Sequence, residues 1–141
     1  MAHDVIRTQD APAPVGAYPH ARRVGQLLFL SGIGPREPGT NAIPGNVVDA
    51  DGVLIGRDFE AQCRQVFANV RAVLEASGAR FGDLVDVTVY LTDMSRDFAT
   101  YNRLYAEAFA GVDACRTTVG VTALPTPIAI ELKCVAAIRV G

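Results

Sequence analysis

The sequence predicts a single α/β domain in which one mixed sheet carries two long helices on one of its faces. Three observations predict it. Apolar residues recur at steps of three and four in two stretches, near residues 58–77 and 97–110, which is the spacing of one buried helical stripe. Five or six short runs rich in Val, Ile, Leu and Thr lie around them. The order is strands, helix, strand, helix, strand, strand, which suits a sheet covered by helices on one side. At 141 residues the chain is read as one domain over residues 1–141, long enough to bury a sizeable core.

The opening segment through Pro14 is rich in Pro, Ala and Asp and reads as an extended arm with at most a short strand at residues 5–8. Strands follow at residues 21–24 and 27–30, with Gly25-Gln26 as the tight turn between them. Residues 33–51 are dense in Gly and Pro, so a loop without regular elements is expected. Such a long loop is functional or mobile in most compact domains. A short strand is possible at residues 53–55. The clearest helix is 58–77: Phe59, Cys63, Val66, Phe67, Val70, Val73 and Leu74 form its stripe, Asp58 caps it and Gly78 stops it. Residues 85–91 are a strand. The second helix, 97–110, packs through Phe98, Tyr101, Leu104, Tyr105, Ala108 and Phe109. Strands at 116–121 and 128–138 close the chain. The last is apolar at nearly every position, implying burial on both faces. A sheet bare of helices on one side then calls for a second copy of the chain.

Composition excludes several function classes. The net charge of −2 leaves no electrostatic footprint for nucleic acid or an anionic membrane. No apolar run approaches membrane-spanning length and the N-terminus has no secretory h-region, so a cytoplasmic location is expected. Cys63, Cys115 and Cys134 are too few and too widely spaced for a disulfide framework or a zinc pattern. Cys63 and Cys134 fall in apolar patterns and read as core thiols. Cys115, beside Arg116, is either an activated nucleophile or an ordinary thiol; no histidine lies close in sequence to act as its base. The two histidines, His3 and His20, both lie in the arm, which argues against a His-based triad or a three-His metal site. No dinucleotide or phosphate-loop motif is present. No metal or cofactor is expected.

The remaining candidates centre on Arg116, a permanent cation at the head of the β-branched run Thr117-Thr118-Val119, and Glu131, an acid among apolar neighbours in the last strand. Desolvating an unpaired ion is costly, so charges placed against a core are paired or functional. A guanidinium offers a planar fork matched to a carboxylate. The pair therefore reads either as a structural salt bridge or as a site for a small carboxylate with an acid nearby. Tyr18 either lines that site or packs its ring on the core edge. Ser31 either lines it or satisfies its own turn, and Asn102 either lines it or faces water.

These residues converge on a family. Ala11-Pro12-Ala13-Pro14-Val15-Gly16-Ala17-Tyr18, Leu30-Ser31-Gly32, Phe98-Ala99-Thr100-Tyr101-Asn102 and above all Arg116-Thr117-Thr118-Val119 through Leu124-Pro125 to Ile130-Glu131 resemble the RidA/YjgF enamine/imine deaminases over nearly the whole chain. The resemblance implies a chorismate-mutase-like fold with a six-stranded mixed sheet, assembled as a homotrimer with sheets facing inward and sites at the subunit interfaces. It implies that Arg116 clamps a substrate carboxylate and Glu131 holds or activates a water. Tyr18, Ser31, Asn102 and the backbone near Gly32 would line the pocket. Thr118 stands where many members have Cys, and Lys133 where many have a second acid. The loop from Gly34 to Asn41 is longer than usual.

Those departures resemble the 2-aminomuconate deaminase branch, which implies hydrolysis of 2-aminomuconate to 4-oxalocrotonate and ammonia in the breakdown of aromatic compounds. A substrate with two carboxylates needs a second cation, for which Arg36 is the candidate; the alternative is a solvated loop charge. Two other readings stand beside this one: a broad 2-iminobutanoate/2-iminopropanoate deaminase, and a non-catalytic protein that binds small carboxylates. The nuclease activity attached to some relatives is disfavoured by an acidic chain with no basic stripe.

Overall fold

A computed structural model describes residues 4–139; His3 lies outside the described residues. The described residues form eight strands and two α-helices: β1 (Val5–Ile6), β2 (Ala21–Val24), β3 (Leu27–Leu30), β4 (Asn46–Val48), β5 (Leu54–Arg57), α1 (Phe59–Ala76), β6 (Leu84–Leu91), α2 (Met94–Ala108), β7 (Cys115–Gly120) and β8 (Ile130–Ala137). Six strands make one mixed sheet in the order β1-β2-β3-β8-β6-β7, in which only the β6–β7 pair is parallel. This is the sheet expected from the sequence.

Helix α1 begins where Asp58 accepts a hydrogen bond from the Ala61 amide, and it ends before Gly78, whose φ of +79° is a backbone state open to glycine. Its apolar stripe and that of α2 cover a single face of the sheet. Leu28, Leu30, Val87, Val89, Leu91, Ile130, Leu132, Cys134 and Ala136 lie under them without solvent exposure. Cys63 and Cys134 are core thiols, and burial pushes each up to about 12.

Four expectations need correction. Residues 33–51 are not free of regular structure, because β4 lies within them and pairs with β5 as a separate hairpin. The β-branched Val47 and Val48 supply the strand, and Gly52, with φ +80°, lies in the turn. Second, α2 starts at Met94, three residues early, because Asp93 caps it, accepting from the Arg96 amide. Third, the 85–91 strand begins one residue sooner at Leu84, directly after a 3₁₀ turn over Phe81–Asp83. Fourth, β8 is not buried on both faces within the chain: its even positions are fully buried while Glu131, Lys133, Val135 and Ala137 are partly exposed.

Candidate functional site

The sheet separates the two main candidates. Arg116 on β7 stands beside Val87, on the helix-covered face at the sheet's edge. Glu131 on β8 stands beside Tyr90, on the face without helices. Side chains alternate along a strand, so the two charges project from opposite sides. The structural salt bridge between them is therefore absent, and one chain does not bring them together.

Arg116 rests on an aromatic shelf made by α2, with Cζ 4.8 Å from the Tyr105 ring centroid, 5.5 Å from Tyr101 and 5.9 Å from Phe98. Cation–π contact holds the guanidinium while leaving its N–H fork unspent. Asn102 lies one turn beyond Phe98 on the same helix and is exposed. Beneath the shelf the Tyr101 and Tyr105 hydroxyls and the Thr118 hydroxyl are buried without a hydrogen-bond partner. Burial pushes both phenols up, against the opposing pull of Arg116, so both keep their protons as donors. Sequence reasoning took Phe98, Tyr101 and Tyr105 only as packing residues. Their spacing carried that signal, and nothing in it marked the cation above them.

The other candidates gather at the far end of the sheet. Tyr18, Gly32, Arg36 and Glu131 line one cavity of about 150 Å³. Tyr18, Ser31, Gly32 and Arg36 line a smaller one beside it. Gly32 lies close to the acid: a Cβ added there would come within 2.7 Å of Glu131 Oε2 and push the carboxylate aside. The Gly32 amide has no backbone partner among the described residues, which leaves a donor next to the carboxylate. Burial alone pushes the Glu131 carboxyl above its ordinary range. Glu131 takes part in none of the salt bridges among the described residues. Ser31 donates to the Pro19 carbonyl at 2.7 Å, so its hydroxyl holds the arm that carries Tyr18.

Arg36 is not a loose loop charge. Its guanidinium donates to Asn41 Oδ1 at 2.8 Å and to the Ala13 carbonyl at 2.5 Å, both neutral acceptors. Buried Asn69 of α1 donates to the carbonyls of Gly34 and Arg36 at 2.9 and 2.8 Å, which pins the loop to the helix. His20 is structural: its ring bridges the Thr8 amide and the Pro12 carbonyl, closing the arm against the sheet. No described helix is long and apolar enough to cross a membrane.

Comparison with known proteins is consistent along the chain. The family model for endoribonuclease L-PSP matches residues 8–138. A RutC family protein of Pyrococcus horikoshii is 39% identical over 133 residues, covering 94% of this chain and 96% of the relative. The 2-iminobutanoate/2-iminopropanoate deaminase of Escherichia coli K12 is 35% identical over 137 residues, covering 95% and 97%. The crystal structure of RidA from an Antarctic Psychrobacter superposes with a TM-score of 0.83 at 34% identity, covering 95% of this chain and 98% of that one.

Proposed function

This chain belongs to the endoribonuclease L-PSP family, which includes the RidA deaminases, and we propose that it hydrolyses an enamine or imine carboxylate to the 2-oxo acid and ammonia. The observation that carries the reading is a pair of charges, Arg116 and Glu131, each placed against apolar surface and neither neutralised by an ionic partner among the described residues. Relatives named as 2-iminobutanoate/2-iminopropanoate deaminases support the reaction type. The family's nuclease label finds no support in this chain, which has a net charge of −2.

Because Arg116 and Glu131 lie on opposite faces, the working site needs two chains. The helix-free face carries Val24, Leu27 and Phe29, which are 55%, 42% and 39% exposed, and a second copy would cover them. We take the assembly to be a homotrimer with one site at each interface. Arg116 of one chain would hold the carboxylate next to the reacting carbon through two parallel N–H···O bonds. Glu131 of the neighbour would take a proton from water as its oxygen bonds to C2 of the imine. The nitrogen is then protonated, the C–N bond breaks and ammonia leaves, with C2 becoming the carbonyl.

The finer reading is 2-aminomuconate going to 4-oxalocrotonate. It is supported by Arg36, a preorganised guanidinium held by neutral groups and lining the cavity of Glu131. A second carboxylate on the substrate would take up its unspent positive charge. Broad action on 2-iminobutanoate and 2-iminopropanoate is the alternative that the named relatives favour. Ammonia release decides between enzyme and passive carboxylate binder. Each substrate is generated in situ by its upstream enzyme and its decay followed with and without the protein. Unchanged decay for every substrate would leave the binding role. Arg36→Ala decides the substrate: it raises KM for 2-aminomuconate about tenfold and leaves the iminobutanoate constants alone. Equal constants for both would remove Arg36 from the site.

A further inference from the structure

The pairing of β3 with β8 slips by one residue beside Glu131, and a lysine fills the break. Leu27, Leu28 and Phe29 stand opposite Ala137, Ala136 and Val135. Continued without interruption, that register would set Gly32 opposite Leu132, but Ile33 occupies the place. The β3 side therefore holds one extra residue within 30–32, a β-bulge. Leu30 has no register partner on β8, and the Lys133 ammonium donates to its carbonyl. Lys133 lies on the helix-free face, two residues from Glu131, with Nζ 6.0 Å from the Phe29 ring centroid. The far end of the same bulge is Gly32, where an added Cβ would come within 2.7 Å of Glu131 Oε2. One side chain thus fixes the first residue of a three-residue turn whose last residue forms the wall of the acid's cavity.

We propose that Lys133 is a positioning residue for the deamination: by clamping the Leu30 carbonyl it holds the bulge, and through the bulge it sets Gly32 and its free amide against Glu131, where the attacking water is held. This rests on the function proposed above. The choice of residue has a physical reason. A backbone amide of β8 stays in its own ladder, whereas a lysine has the length to follow a carbonyl displaced by the extra residue. Burial lowers the Lys133 pKa, but ammonium and amine both donate, so the clamp survives either way. Leaving the Leu30 carbonyl unsatisfied would cost more than the bond contributes, so the bulge is expected to rearrange when the donor is lost.

The test uses the full chain with Lys133→Met and Lys133→Arg, read by steady-state kinetics and by amide hydrogen exchange. Lys133→Met is expected to lower kcat about tenfold while KM for 2-iminobutanoate, whose one carboxylate goes to Arg116, stays within about twofold. Exchange at Ile33, whose amide bonds to the Leu132 carbonyl, should quicken, while Leu28 in the regular part of the ladder stays protected. Lys133→Arg, which keeps a long donor, should recover most of kcat. A Met variant with the wild-type kcat, or with unchanged exchange at Ile33, would overturn the assignment, as would a loss confined to KM. Should the Met variant not fold, Lys133→Ala, which also removes the donor, carries the same comparison. If the wild-type protein releases no ammonia from any enamine, the proposed function fails, and the exchange contrast still decides whether the lysine holds the bulge.

Discussion

The two faces of one sheet solve different problems with the same strands. Under the helices, β8 contributes Ile130, Leu132, Cys134 and Ala136, all without exposure, and β6 adds Val87, Val89 and Leu91. On the other side the same two strands present Glu131, Lys133, Val135 and Thr88, Tyr90, all partly exposed. The first face is a hydrophobic core that one chain completes. The second mixes charge, hydroxyl and apolar surface, a composition that a single chain leaves unfinished. The proposed chemistry draws on the unfinished face and on the sheet edge where Arg116 sits, and neither is closed by intrachain packing.

The comparison breaks first on activity. Arg116→Ala and Glu131→Gln are each expected to cost on the order of 10²-fold or more in kcat/KM with the assembly intact, since each removes a group that the proposed mechanism sets at the reacting centre. Mixing the two inactive variants sharpens the point. If each site takes its arginine from one chain and its glutamate from the next, random reassembly restores about a quarter of the sites. A mixture as dead as its parts would put both residues in one chain's site, contrary to their opposite faces.

Stability separates the faces next. Leu132→Ala, on the covered side, is expected to lower the unfolding free energy by about 2–5 kcal/mol at any protein concentration. Val135→Ala, three residues on and on the open side, should cost less and act through assembly, so that its effect grows on dilution. Denaturant titrations at two concentrations check both. Equal, concentration-independent losses would mean that the open face is covered by nothing.

Much of this was legible in the sequence, for reasons tied to particular residues. The α1 stripe from Phe59 to Leu74 has only one periodicity, and Asp58 and Gly78 mark its ends, so helix and boundaries could be read directly. The start of α2 was read late because Asp93 and Asp97 are both plausible caps, and local pattern does not choose between them. The short strand at residues 53–55 foreshadowed β5, but its partner β4 was hidden because Pro and Gly around it outweigh two valines. Arg116 and Glu131 stood out as charges in apolar runs. Their faces did not, because the phase of β7 relative to β8 passes through β6 and depends on the register of all three strands. Lys133 was seen only as a departure from a family pattern, since its bond to Leu30 depends on a register slip between segments about a hundred residues apart.

The smallest expected effect is also the one that ties fold to chemistry. Burial raises the Glu131 carboxyl above its ordinary value of 4.5. The ionised form is the one that accepts a proton from water, so kcat/KM should climb with pH along a limb lying above the range of an exposed glutamate, and that limb should vanish in Glu131→Gln. The sign for stability runs the other way. A carboxyl whose folded pKa is raised favours the fold below its unfolded pKa, and that contribution is lost as pH rises through the folded value. Relative to wild type, Glu131→Gln should therefore gain stability across the pH interval in which activity appears. Parallel pH series of kcat/KM and of unfolding free energy measure both. A Gln variant that loses relative stability with rising pH would mean that the carboxylate finds a cation in the assembled protein, and that the open face supplies more charge compensation than one chain displays.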